Sequence, residues 1–387
     1  MSILSLYKDS MAAELAAKTP RTRDRYVDFL RAFSICAVVF GHWISTVVVL
    51  GDNGFMVYNA AGIIPGVWLA TWVFQVMPLF FFVGGFSNFV SINSYRRRKK
   101  SDIAFIRVRA IRLLKPTVVF LAVWFVIIAL VVFVLRDGTH LVRNFRMVFA
   151  PLWFLVVFCM MIVLTPVMEG LHRCCRIWIL VALFALMIVV DIFRFWSPIP
   201  SVSWANVAFV WLFVHQLGFF YADGSLVRAP KWVHVAMTLG GLLSLIILTN
   251  IGIYHKSMVG TGFEKTSNMN PPTVPIAILA CWLIGVAMLL RNTLIRWLVR
   301  LKPWMIVVQA NSVIMTMYLW HLTAFAIVFL VLFSLGLARE PAGTLVWWVQ
   351  RPVWIIGPAI ILAGFIKIFA RFESLARAKS PLSREEP

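Results

Sequence analysis

Ten apolar stretches, each near the roughly 20 residues that carry a helix across a bilayer, alternate with short polar connections along the 387-residue chain. They read Phe29 to Leu50, Val67 to Asn93, Pro116 to Leu135, Phe149 to Met168, Ile177 to Phe195, Trp204 to Tyr221, Trp232 to Gly252, Val274 to Leu290, Ser312 to Leu335 and Val353 to Ile368. Hydrocarbon offers peptide groups no hydrogen bonds, so segments of this kind must satisfy their backbones internally as helices. The expectation is an all-α, polytopic transmembrane bundle of about ten helices. With 61% hydrophobic residues, the composition excludes an ordinary soluble globular protein. A single membrane domain, residues 26–372, is expected between a polar tail over 1–25 and a short tail over 373–387.

A formal net charge of +21 would point to nucleic acid in a soluble protein. Here the cations fall on alternate connections. The N-terminal tail, the run Arg96-Arg97-Arg98-Lys99-Lys100 through Lys115, the connection from Arg291 to Lys302 and the tail from Lys367 are all basic. The loops near Gly51, Ser197 and Gly343 are poor in Lys and Arg. By the positive-inside rule both termini are cytoplasmic and the chain is a multi-pass protein of the plasma membrane. Arg136, Arg143 and Arg146 would then lie outside. No nucleic-acid partner is expected; the partner is the lipid bilayer. Residues Met1 to Tyr26 hold no continuous apolar core, so no cleavable signal is expected. The five cysteines show no disulfide framework and no zinc-ligand spacing, so no metal is expected.

Ionisable side chains inside apolar spans are costly and mark functional sites by default. His42 stands inside the first stretch, and Arg31 precedes it by eleven residues. Eleven helical steps return to within about 20° of the same face and rise about 16 Å, which places Arg31 near the surface and His42 near mid-bilayer. Asp28, three residues before Arg31, can pair with it. Arg109 and Arg112 share a face on an amphipathic approach to a helix that Pro116 starts. Such a cluster suits bidentate phosphate binding, or else sets topology and attracts anionic lipid. His215 with Gln216, and Asn311, Tyr318 and His321, are further intramembrane polar groups. Each histidine is a catalyst, a satisfied packing residue, or one station of a proton relay through His42, His215 and His321 in a secondary transporter. The connection from His255 to Thr273, with Asn268, Asn270 and two prolines, reads as a shaped loop. Asp191 reads as interfacial, the many Trp and Phe as mostly lipid-facing, and Gly84-Gly85 as a place for close helix approach.

The combination resembles the acyltransferase-3 family of integral-membrane acyltransferases, over nearly the whole chain. Arg31 and His42, within and after Tyr26-Val27-Asp28-Phe29-Leu30-Arg31, are similar to its first-helix arginine-to-histidine motif. Pro78 to Phe86 is similar to its second-helix signature, Arg109-Ala110-Ile111-Arg112-Leu113 to its paired-arginine motif, Tyr318-Leu319-Trp320-His321 to its late helix and Pro151 to Leu155 to a fourth-helix pattern. The resemblance implies transfer of an acyl group, commonly acetyl, from cytoplasmic acyl-CoA to a hydroxyl of an envelope glycan or glycolipid. His42 would be catalytic with Arg31 its motif partner. Arg109 and Arg112, with Lys115 beside them, would bind the coenzyme A phosphates, and His215, Asn268, Asn270, Tyr318 and His321 the acceptor. No acidic residue closely follows an arginine in the third-to-fourth helix region, so the resemblance supplies no carboxylate partner for the histidine. The Asn-Pro-Pro loop and His215-Gln216-Leu217-Gly218 resemble actinobacterial members, which implies an acceptor such as a trehalose mycolate. A cavity running from Arg109 and Arg112 to His42, open toward Asn268 and Asn270, is the structural expectation.

Overall fold

The computed structural model describes residues 23–51, 54–135, 145–196, 200–264 and 266–378. The polar tail before Arg23, the two outside arginines Arg136 and Arg143, and the end of the C-terminal tail lie outside those residues. Among the described residues, ten segments are long and apolar enough to cross a membrane. An even number of crossings returns the end of the last helix to the side where the first begins. In chain order the helices are α1 (Arg25–Ser45), α2 (Trp68–Phe74), α3 (Met77–Arg97), α4 (Asp102–Leu135), α5 (Leu152–Cys175), α6 (Ile177–Trp196), α7 (Ala205–Ala222), α8 (Lys231–Asn250), α9 (Val274–Leu298), α10 (Leu301–Ser312), α11 (Ile314–Ser334) and α12 (Arg351–Ala378).

Helices α5, α9 and α12 each run on past the end of their apolar stretch, and three further differences from the hydropathy pattern stand out. The first apolar stretch does not stay helical to Leu50. After Ser45, Thr46–Gly51 forms β1 and pairs antiparallel with β2, Gly54–Asn59, with Thr46 opposite Asn59. Hydropathy cannot separate an apolar strand from the end of a span, but the run Thr46-Val47-Val48-Val49 is β-branched and suits a pleated sheet. The second crossing is interrupted at Gln75 and Val76, between α2 and α3. The third starts before its proline: α4 is continuous through Pro116. The ring removes one N–H from the ladder, and the neighbouring Thr117 hydroxyl donates to the Leu113 carbonyl at 2.7 Å. The carbonyl that the missing N–H leaves without its helical partner is that of Arg112, and membrane helices tolerate such a proline where neighbouring groups or local adjustments take up the freed group.

Small residues set the tightest contacts. A Cβ on Gly85 would stand 2.0 Å from the His215 carbonyl oxygen, and one on Gly218 2.2 Å from that of Phe82. Helices α3 and α7 therefore pack backbone against backbone. Gly285 does the same for α8 and α9, where an added Cβ would meet the Thr238 nitrogen at 2.8 Å. The aromatic residues are less uniformly peripheral than composition suggests. Trp43, Trp211 and Trp304 are fully buried, together with Phe81, Phe82, Phe105 and Phe120.

At the end of the bundle where α1 finishes, the hairpin and the 251–273 loop form a cap. Asn59 donates its backbone N–H to the Thr261 carbonyl at 2.9 Å, Tyr58 stacks on Phe263 with ring centroids 4.3 Å apart, and the Trp72 indole donates to the Lys256 carbonyl at 2.8 Å. Asp191 anchors the cap from below rather than lying at an interface. It is 2% exposed and accepts from Asn206 Nδ2 at 2.8 Å, the Tyr254 hydroxyl at 2.9 Å and the Val274 N–H at 2.9 Å. Burial, and then the Asp191 carboxylate beside it, push the Tyr254 phenol pKa up. Asp191→Ala leaves buried donors without their acceptor and is expected to cost about 2–3 kcal/mol. Thermal unfolding in detergent reads this as a lowered Tm, and an unchanged Tm would remove Asp191 from the cap's support.

Candidate active site

The N-terminus of α1 is built to hold charge. Asp24 caps it, accepting from the N–H groups of Tyr26 at 2.9 Å and Val27 at 3.1 Å. One turn on, Asp28 accepts from Arg31 Nη1 at 3.2 Å and also from Arg23. Arg31 Nη2 donates to Ser87 Oγ on α3 at 2.7 Å, which aims the guanidinium between the two helices. The pairing of Asp28 with Arg31 three residues apart is thus present, and a neighbouring helix fixes its direction.

Arg109 stands within α4, near its N-terminal end, and α3 holds it. Its Nε and Nη2 donate to Asn88 Oδ1 at 3.0 and 2.5 Å. The Asn88 amide Nδ2 in turn lies 3.0 Å from His215 Nε2 on α7. An amide N–H can only donate, so Nε2 of His215 is the accepting nitrogen and the neutral ring carries its proton on Nδ1. His215 is therefore a support behind Arg109 rather than a wall of the site.

A cavity of about 370 Å³ opens between α1, α3, α4, α5, α11 and α12. Arg23, Arg31, Arg109 and Arg112 line it, with Ser87 and Glu373 among the other polar walls. Phe80, Phe154, Phe158 and Ile162 form an apolar side, and Tyr318 closes one end. Four guanidiniums outnumber the nearby carboxylates Asp28 and Glu373, so the cavity favours an anion with an apolar appendage. Lys115, half-buried one turn beyond Arg112, does not line it.

His42 lies in the last turn of α1, on the same helix as Arg31 but toward the cap, and not at the centre of the first segment. The reason is the early end of α1: with β1 taking residues after Ser45, only three helical residues follow His42. Its Nδ1 lies 3.0 Å from Nε2 of His321 on α11. His321 Nδ1 lies 2.7 Å from the Tyr318 carbonyl oxygen, and the Trp43 indole donates to the His321 carbonyl at 3.0 Å. A carbonyl can only accept, so the neutral His321 ring carries its proton on Nδ1 and offers Nε2 as an acceptor. His42 then donates from Nδ1, and its Nε2 keeps an uncommitted lone pair. The geometry leaves His42 as the member of the pair able to take a proton or attack a carbonyl.

Several sequence expectations end elsewhere. The cavity does not run through to His42. It stops at Tyr318, whose ring centroid is 6.1 Å from that of His321 and whose hydroxyl donates to the Pro151 carbonyl. Nor does it open toward the Asn-Pro-Pro loop. Asn268 is buried and spends its amide on the carbonyls of His255 at 2.6 Å and Ser257 at 2.9 Å, while Asn270 is exposed on the cap. Asn268 shapes the loop, because a turn-rich segment must satisfy its own buried carbonyls, while Asn270 contributes its backbone N–H, which donates to Ser267 Oγ at 3.0 Å. The three intramembrane histidines form no single relay, since His215 faces Asn88 and only His42 and His321 touch. Asn88 and Glu373 were invisible as site residues. Asn88 follows Ser87 in a Phe-rich stretch of helix, a polar pair that is a signal for it; Glu373 sits where the basic tail begins.

Among the described residues, no group of three His, Cys, Asp or Glu side chains could hold a metal ion. The Acyl_transf_3 family model, an acyltransferase domain, matches residues 24–368. No curated protein and no solved structure matches the chain.

Proposed function

Because the chain belongs to the acyltransferase-3 family of membrane acyltransferases, we propose that it carries an acyl group, acetyl in the simplest case, from acyl-CoA to a hydroxyl of an envelope glycan or glycolipid. The observation that carries this reading is that one helix, α1, bears both a wall of the arginine-lined cavity and the imidazole whose Nε2 is uncommitted. The cavity takes the anionic end of the donor. Guanidiniums suit phosphate because they present paired donors in one plane. The basic connections lie at the same end as Arg23 and Arg109, which by the positive-inside rule is the cytoplasmic side of the plasma membrane, where acyl-CoA is found. From Arg31 to His42 the helix rises about 16 Å, so the donor's arm extends along α1, and the Tyr318 side chain, where the cavity ends, has to turn aside for the thioester to reach His42. The acceptor arrives from the cap side.

In the transfer step, His42 Nε2 takes the proton of the acceptor hydroxyl while that oxygen attacks the thioester carbonyl carbon. The carbon–sulfur bond then breaks, and the leaving thiolate takes the proton back from His42. His321 keeps the imidazole in the accepting tautomer throughout. Buried aromatic walls hold water away from the thioester.

Calorimetry with acetyl-CoA on detergent-solubilised protein tests the donor site. Arg109→Ala and Arg112→Ala are each expected to lose charge-assisted contacts worth about 1.5–3 kcal/mol, more than a tenfold weakening. Arg→Lys is expected to rescue only part, because an ammonium cannot reproduce the planar fork. A double variant that binds acetyl-CoA like the wild type would end the donor assignment. Mass spectrometry of envelope lipids and glycans from cells lacking the protein identifies the acceptor, with trehalose mycolates among the species to compare.

A further inference from the structure

Glu373 is 3% exposed, on the last turns of α12, and it lines the arginine cavity. Its Oε2 receives two donors from α11: the Thr316 N–H and the Thr316 hydroxyl, both at 3.2 Å. Helix α11 begins at Ile314, so Thr316 is the third residue of its first turn. The first N–H groups of a helix have no partner within it, and Val313, at the cap position, supplies no side-chain hydrogen bond. In a buried setting such a donor has to be satisfied from outside, and a carboxylate is favoured there by the helix dipole. Glu373 is that partner, reaching across from another helix.

The same first turns of α11 carry the groups that organise the histidine pair. Two residues after Thr316 comes Tyr318, whose ring closes the cavity and whose carbonyl fixes the His321 tautomer. His321 then orients His42. From these contacts we infer that Glu373 is a positioning residue of the transfer reaction: by capping α11 from α12 it holds Tyr318 and His321 in the register that aligns His42. The inference rests on the acyl-transfer reading above and adds to it a carboxylate from the last helix, 331 residues along the chain from His42.

Three variants separate this role from the alternatives. Glutamine keeps a side-chain oxygen that can accept both Thr316 donors, whereas alanine keeps none. Glu373→Ala is expected to lower kcat about tenfold with little change in KM for acetyl-CoA, and Glu373→Gln to return kcat to within about threefold of wild type. Thr316→Val, which removes the hydroxyl and keeps the N–H, is expected to fall between them. A residue that bound the donor directly would raise KM in both Glu373 variants, and one that moved a proton would leave glutamine as impaired as alanine. Hydrogen exchange over residues 314–321 carries the same test without turnover. Exchange there should quicken in Glu373→Ala and stay at the wild-type rate in Glu373→Gln. Failure of the acyl-transfer reading shows as a wild type that transfers nothing; failure of this inference shows as Glu373→Ala with wild-type kcat or wild-type exchange.

Discussion

His42→Ala is expected to bring acyl transfer to background while the protein still inserts and folds. Alanine removes the one imidazole nitrogen of the pair that no hydrogen bond among the described residues engages, and a positioned base of this kind contributes about 10²- to 10⁴-fold, more where it also carries the acyl group. The fold should survive because the side chain is half-buried and its hydrogen bond to another side chain goes to His321. His321→Ala is expected to be milder but still severe. It leaves His42 free to adopt either tautomer, and the loss is one of orientation. Turnover of labelled acetyl-CoA by purified variants, beside their elution profiles in detergent, reads both effects. A His42→Ala protein with near-normal transfer would place the chemistry elsewhere.

Gly85→Val should have the largest effect on folding. The added Cβ falls 2.0 Å from a backbone oxygen of α7, and no rotamer moves a backbone. Helices α3 and α7 would have to part along their closest contact, at a cost above about 3 kcal/mol. The damage would also reach the site, because the oxygen belongs to His215, and His215 backs the Asn88 side chain that holds Arg109. The expected result is little monodisperse protein in detergent. Its neighbour offers the contrast. A Cβ at Gly84 meets the ring edge of Phe158 at 2.4 Å, a side chain in the cavity wall that can turn. Gly84→Ala should therefore fold and instead narrow the cavity, with weakened acetyl-CoA binding. Equal melting of Gly85→Val and wild type would mean that α3 and α7 are not in backbone contact.

The span count and the arginine-to-histidine offset were legible because both are local: hydropathy over about 20 residues and spacing on one helix. Where the pattern misled, the cause was a local signal with two readings. Val47 to Leu50 is apolar enough to extend a span and β-branched enough to form a strand, and that ambiguity moved His42 from the middle of a segment to its last turn. Pro116 reads as a helix start, whereas α4 runs through it from Asp102. The long-range partners could not be read at all. Nothing near His42 announces His321, 279 residues away, and nothing near Thr316 announces Glu373. Asn268 and Asn270 stand in a conspicuous loop, and the Asn268 side chain serves that loop's own backbone.

The Tyr318 carbonyl at the end of the histidine pair has a consequence for energy supply. Being an acceptor alone, it can neither feed a proton into the pair nor drain one from it, so the pair has no outlet on that side. In the proposed transfer, the proton that His42 takes from an alcohol would go to the departing sulfur, and each cycle would close with no net exchange of protons with either compartment. Turnover would then be indifferent to the electrochemical gradient across the membrane, and its driving force would lie wholly in the thioester.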